Sequence, residues 1–167
     1  MSQPPQHLVT GANIWIDFEH TEVLDAVFGL PFVFVIPDLV LVELGDSLGV
    51  RVCRLGLRVE ELTGEEVGQL IALAGLYPRP GRRDLAALVL AQRLGAVLLT
   101  GDASLRDAAG QEGIEVHGTL HLLDLVVAAR LLSGPQAADA VDLMQNTGSR
   151  LPHAESRALQ RRWRARL

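Results

Sequence analysis

Asp84-Leu-Ala-Ala-Leu-Val-Leu-Ala-Gln-Arg-Leu-Gly95, followed at once by Ala96-Val-Leu-Leu-Thr-Gly-Asp102, is the stretch that decides the fold. It predicts a helix opening on an acid, a glycine stop, a short buried strand, and a second acid just past the strand's carboxyl end. In open α/β sheets the functional crevice lies outside those carboxyl ends. Two consecutive elements therefore deliver carboxylates to the place where a divalent cation can be shared.

Working outward, the same alternation recurs. His7 to Thr10 is expected to be a first strand, and Asn13 to cap a helix from Ile14 to about Phe28. Phe32-Val-Phe-Val-Ile36 is rich in β-branched and aromatic residues, as a strand buried on both faces requires. Pro37 and Asp38 start a helix to about Gly45, and Leu57 to Glu60 predicts a weaker strand. Thr63-Gly-Glu-Glu66 is a capping-box signature for a helix to about Leu76. After Asp102 come a short helix to Gln111, a strand near Ile114 to Val116, and a long helix from Thr119 to Leu132 that Gly134-Pro135 ends. Two more helices, about 136–146 and 153–166, close the chain. Strands alternating with helices predict a three-layer α/β/α fold around a central parallel sheet. The domain is expected over 1–147, with 148–167 an Arg-rich helical tail packed on it.

Composition narrows the chemistry. The 167 residues suit one domain, and a net charge of -5 argues against a protein that coats nucleic acid by bulk electrostatics. All 15 basic residues are arginine, so mechanisms that need lysine, the P-loop and the Schiff base among them, are excluded. Cys53 stands alone, which rules out an internal disulfide and a cysteine-based zinc site. The N-terminal Met-Ser-Gln-Pro-Pro-Gln-His lacks the cationic and apolar regions of a signal peptide, and no apolar run is long enough to cross a membrane. A cytoplasmic protein is expected. No Gly-x-Gly-x-x-Gly fingerprint occurs. Thr100-Gly-Asp102 resembles a haloacid-dehalogenase phosphatase loop, but the first strand lacks the nucleophilic Asp of that fold.

Three acids are candidate metal ligands: Glu43 after the second strand, Asp84 opening a helix, and Asp102 after the fourth strand. Magnesium and manganese favour such hard oxygens and retain waters, leaving room for phosphate. Each acid also has a plain structural reading, as a solvated helix residue for Glu43 and as helix caps for Asp84 and Asp102. Arg79, Arg82 and Arg83 lie on the loop entering Asp84, where they either pair with RNA phosphates or are simply solvated. His117 and His121 are four apart, but Gly118 and Thr119 interrupt the continuous helix that would align them as ligands. In the tail, Leu159 and Trp163 fall at i, i+4, a face able to dock on the domain or on a partner.

Taken in order, these blocks resemble the PIN-domain family of metal-dependent ribonucleases. Leu8-Val-Thr-Gly-Ala-Asn-Ile-Trp-Ile-Asp17 is similar to the family's opening, Phe34 to Leu44 to its second block with Glu43 on the acid, and Asp84-Leu-Ala-Ala-Leu-Val-Leu-Ala to its third. Leu99-Thr-Gly-Asp102 resembles the fourth, and Glu115-Val-His-Gly-Thr-Leu-His-Leu-Leu its continuation in a bacterial and archaeal subgroup. The resemblance implies an endoribonuclease in which Glu43, Asp84 and Asp102 hold Mg2+ or Mn2+. It also implies a toxin of a toxin–antitoxin pair, usually a homodimer neutralised by a small antitoxin-like protein. One position departs: Gly11 stands where the family has its first Asp. Asn13 remains as a residue able to hydrogen-bond a ligand carboxylate from behind, while Asp17 is expected to point away. With one acid gone, the resemblance leaves two readings, a weakened nuclease and a degenerate module that binds RNA or protein without cutting.

Overall fold

The computed structural model describes residues 3–165. Strands β1 (Gln6–Thr10) and β2 (Phe32–Pro37) pair in parallel, with His7 opposite Val33 and Val9 opposite Val35. Strand β3 (Arg58–Glu60) extends the sheet beyond β2, while β4 (Val97–Leu99) and then β5 (Val116–His117) extend it on the other side of β1. The order β3-β2-β1-β4-β5 is parallel throughout its five strands. The chain builds outward from β1 in one direction, then returns and builds the other half from β4. The direction of winding reverses between β1 and β4, where the Gly11 amide donates to the Leu99 carbonyl at 3.0 Å. This switch point is where ligands of such sheets bind.

Because side chains alternate across a strand, the sheet serves two apolar layers. Leu8, Phe34, Ile36 and Leu99 face the layer built by α1 (Ala12–Phe18), α2 (Leu24–Phe28), α4 (Gly45–Leu55), α8 (Thr119–Ala128) and α9 (Gly134–Asn146). Val9, Val35 and Leu98 face α5 (Gly64–Leu76), α6 (Arg82–Leu94) and α7 (Ala103–Gln111). The run Leu85 to Ala91 on α6 is buried on every side, which explains why that helix is apolar all round. Gly95 ends it in the left-handed region at φ 58°, a conformation that L side chains rarely adopt. The capping box at Thr63 and Glu66 forms as expected, with hydrogen bonds of 2.8 and 3.2 Å.

Three local expectations are corrected. The helix expected from Ile14 to Phe28 is two pieces, α1 and α2, and its cap is Gly11 rather than Asn13, which lies exposed in the first turn. Thr21 turns the chain there, its hydroxyl donating to the Phe18 carbonyl at 2.8 Å. Helix α3 (Asp38–Leu41) passes into a 3-10 turn, Val42–Leu44, so Glu43 sits on that turn and not within an α-helix. Helix α4 escaped the sequence reading, because Gly-Asp-Ser-Leu-Gly-Val-Arg-Val-Cys-Arg-Leu55 mixes glycine and β-branched residues of low helix propensity. Burial of Leu48 and Val52 against the sheet outweighs that preference.

Helix α10 (His153–Ala165) lies on α8 and α9. Trp163 is fully buried, and its indole N–H donates to Asp124 at 2.9 Å. Gln160 donates to the Ala138 carbonyl at 2.9 Å and to Asp142 at 2.8 Å. Arg162 pairs with Asp124 at 2.6 Å, and Arg164 with Asp142 at 3.0 Å. The Arg-rich helix thus meets acids of the helices beneath it. No described helix is long and apolar enough to cross a membrane.

Candidate metal-binding cleft

The carboxyl edge of the sheet gathers the sequence-derived acids. Asp84 occupies the third position of α6 and accepts the Gly81 amide at 3.2 Å, the acidic half of a capping box. Burial raises its pKa above the ordinary carboxylate value against the opposing effect of that amide, and the negative charges of Asp102 and Glu43 raise it further. The three acids therefore share one electrostatic environment, although they come from three separate elements. Asp102 caps α7: its Oδ1 accepts the Leu105 amide at 2.8 Å and the Ser104 hydroxyl at 2.6 Å. Its own amide donates to Thr100 Oγ1 at 3.2 Å, which fixes the turn after β4. The capping reading of Asp84 and Asp102 is met through one oxygen of each, Oδ2 of Asp84 and Oδ1 of Asp102.

Glu43 meets a guanidinium from the far side of the cleft. Arg83 Nη1 stands 3.5 Å from its Oε1. Arg82 and Arg83 belong to the first turn of α6 rather than to the preceding loop, and only Arg79 lies in the turn before it. All three are exposed. Cations at a helix N-terminus oppose the helix dipole, so their placement is offset by Asp84 and, for Arg83, by Glu43.

Among the described residues, no three His, Cys, Asp or Glu side chains stand close enough together to close on one ion. Magnesium and manganese need less than that, since they retain several waters and use one or two protein carboxylates. The charge pattern fits such an ion: Asp84 is held above its usual pKa by burial first and then by two neighbouring carboxylates, whose repulsion a divalent cation relieves.

The fold agrees with comparisons to known proteins. Residues 7–164 match the family model described as PIN domain. The chain belongs to the PIN-domain family. Solved structures similar to this PIN domain include a PilT N-terminus domain protein from the archaeon Sulfolobus solfataricus P2, at 16% identity and TM-score 0.51, covering 73% of this chain and 94% of that one. Another is PAE2754 from Pyrobaculum aerophilum, at 15% identity and TM-score 0.56, covering 75% and 91%. A third is VapBC2 from Rickettsia felis bound to a DNA fragment from their promoter, at 14% identity and TM-score 0.50, covering 68% and 98%. At such identities these likenesses establish the fold. None of the curated proteins matches the chain in sequence.

Gly11 stands where the resemblance implies an acid, and the structure shows what the position accommodates. Its φ of -79° and ψ of 174° are extended backbone open to any residue. A Cβ there meets Thr100 Oγ1 at 3.7 Å and the Leu99 carbonyl at 3.9 Å, ordinary van der Waals contacts. Neither backbone nor space demands glycine.

The sequence reading missed one constellation in this PIN domain. His117 on β5 and His121 on α8 stack face to face, with ring centroids 3.8 Å apart and planes 15° from parallel. The glycine between them, which argued against helical ligand spacing, makes the corner that brings the rings together. Glu115 holds His117 Nε2 at 3.1 Å. Burial and then the neighbouring His117 lower the His121 pKa, against weaker opposing effects of Asp124 and Glu115. Asp17 faces the same region: its Oδ2 accepts the Thr119 hydroxyl at 2.7 Å, and burial raises its pKa despite hydrogen bonds from Thr119 and Ser149. Spacing of i, i+4 across a Gly-Thr corner was the available signal, but it counted against the pair.

Proposed function

We propose that this chain is a magnesium- or manganese-dependent endoribonuclease whose activity is weakened by the glycine at position 11. The observation that carries the reading is the placing of Asp84 within reach of the charges of both Glu43 and Asp102, three acids from separate elements beside the switch point of the sheet. Glu43, Asp84 and Asp102 would hold the cation. Once bound, such an ion supplies activated water and stabilises charge on the scissile phosphate. The chain's own residues arrange the ligands. The Gly81 amide orients Asp84, Ser104 and the Leu105 amide orient Asp102, and Arg83 holds Glu43. Asn13, exposed in the first turn of α1, is the candidate to hydrogen-bond a ligand carboxylate. Arg79 and Arg82 are placed to meet RNA phosphates, with Arg83 joining them when it leaves Glu43.

Membership of the family and the likeness to a VapBC protein support a toxin paired with an antitoxin-like partner, and a homodimer is part of the same proposal. Exposed Leu39, Val42 and Val50 provide apolar surface suited to such contacts. A second reading, a degenerate PIN domain that binds RNA or protein without cutting, is favoured by Gly11 and by the open arrangement of the acids. Cleavage of a defined RNA with and without Mn2+ decides between them. The nuclease reading expects metal-dependent cutting that Asp102→Asn abolishes. Native protein that binds Mn2+ or RNA yet never cuts supports the degenerate module.

A further inference from the structure

A cavity of about 440 Å³ includes in its lining Gly101, the residue before Asp102. The stacked His117 and His121 line it, as do Leu151, Ala158 and Leu159 from α10 and its approach. Arg106 and Arg150 line it too, and neither has an ion-pair partner among the described residues. The Arg106 guanidinium lies against Gly118, where an added Cβ would stand 3.5 Å from Nη2. Three acids also line the cavity. Asp124 is engaged by Trp163 and Arg162, Asp17 is hydrogen-bonded to Thr119, and Glu155 is exposed.

We infer that this cavity seats one nucleotide of single-stranded RNA next to the scissile phosphate, its base on the exposed His121 face and its phosphate on Arg106 and Arg150. The size suits one nucleotide, since ligand cavities begin at roughly 300 Å³. Imidazole faces are among the platforms on which unpaired RNA bases stack. The depressed His121 pKa leaves its ring uncharged near neutrality, and the Glu115 contact holds the ring beneath it, so the platform is flat and supported. Asp17 and Thr119 offer polar atoms to the base edge, while Leu151 and Leu159 provide the apolar side against which a ring is buried. A base-paired nucleotide cannot enter, because its faces are covered by its neighbours.

The inference rests on the nuclease reading for its placement, but its test does not require cleavage. A pentaribonucleotide carrying 2-aminopurine is titrated with the full chain in EDTA, and both affinity and base fluorescence are followed. The native protein is expected to bind and to quench the fluorophore. His121→Ala should weaken binding roughly tenfold and remove the quenching, whereas His121→Phe should restore both, since stacking carries about that much affinity per base. Arg106→Gln should keep the quenching and flatten the dependence on salt. Absence of binding by the native protein, unchanged quenching in His121→Ala, or equal affinity for the same strand in a duplex each overturns the inference. If these results hold while Mn2+ produces no cleavage, the nuclease reading fails and the pocket stands. If native protein and His121→Ala cleave and bind alike, the pocket fails and the nuclease reading stands.

Discussion

Supplying by Gly11→Asp the acid that the resemblance implies separates steric from electrostatic reasons for the glycine, and the size of its effect follows from the structure. Replacing a glycine whose backbone is already extended narrows the unfolded ensemble, a gain of about 0.4–1 kcal/mol. Gly11 is also the cap of α1 and lacks a side-chain cap hydrogen bond, so an Asp there adds a few tenths from capping and about 0.3–1 kcal/mol from the helix dipole. Contacts at 3.7 and 3.9 Å impose no clash. Against these gains stands repulsion by Asp84 and Asp102, of similar order and sensitive to salt. Without metal the melting temperature should therefore stay within about 4 °C of the native value and rise with ionic strength relative to it. With Mn2+ the repulsion becomes attraction. A tenfold tighter site adds about 1.4 kcal/mol at saturating metal, or roughly 3–6 °C beyond the native shift. Differential scanning fluorimetry in EDTA and across a Mn2+ series, at low and high salt, measures both. A metal-free loss well beyond 6 °C would refute the backbone argument. An identical Mn2+ response in the two proteins would refute the placement of position 11 in the acid cleft.

Three other outcomes are expected. Asp84→Asn should raise the metal-free melting temperature near neutral pH: the folded pKa of Asp84 is raised, so the stability of its protonated form is complete below the unfolded pKa near ~3.9 and is lost as pH climbs through the folded value. The advantage of the variant should shrink on acidification, and a constant advantage across a pH series of melts would contradict the burial and charge assignment. Gly134→Ala places a methyl group on the backbone carbonyl of Trp163, so overpacking between α9 and α10 should cost about 1–3 kcal/mol in urea unfolding; a neutral result would mean the two helices are less closely packed. Replacing Arg79, Arg82 and Arg83 together with Gln should flatten the salt dependence of RNA binding by up to three counterions with little change in melting temperature, and an unaltered slope would remove these residues from the RNA path.

The order of elements was legible because it depends on local chemistry. Apolar runs flanked by glycine and the capping box at Thr63 act over a few residues and appear where the sequence places them, while the helix expected to open on Asp84 starts two residues earlier, at Arg82. Where propensity and burial disagree, the local reading failed. Helix α4 forms from a glycine-containing β-branched segment because the sheet buries Leu48 and Val52, and the first long helix breaks at Thr21 to let α2 reach the same layer.

The candidate site divides in the same way. Which acids and arginines are present, that position 11 carries a glycine, and that the chain belongs to an α/β class were all determined by sequence. Only the tertiary structure decided that Asp84 senses both Glu43 and Asp102, that Arg83 pairs with Glu43, and that His117 and His121 stack across a glycine corner. The physical reason is range. Periodicity and capping act between neighbours in the chain, whereas desolvation, Coulomb interaction and ring stacking depend on distances through space, which the winding of the sheet about β1 and β4 sets.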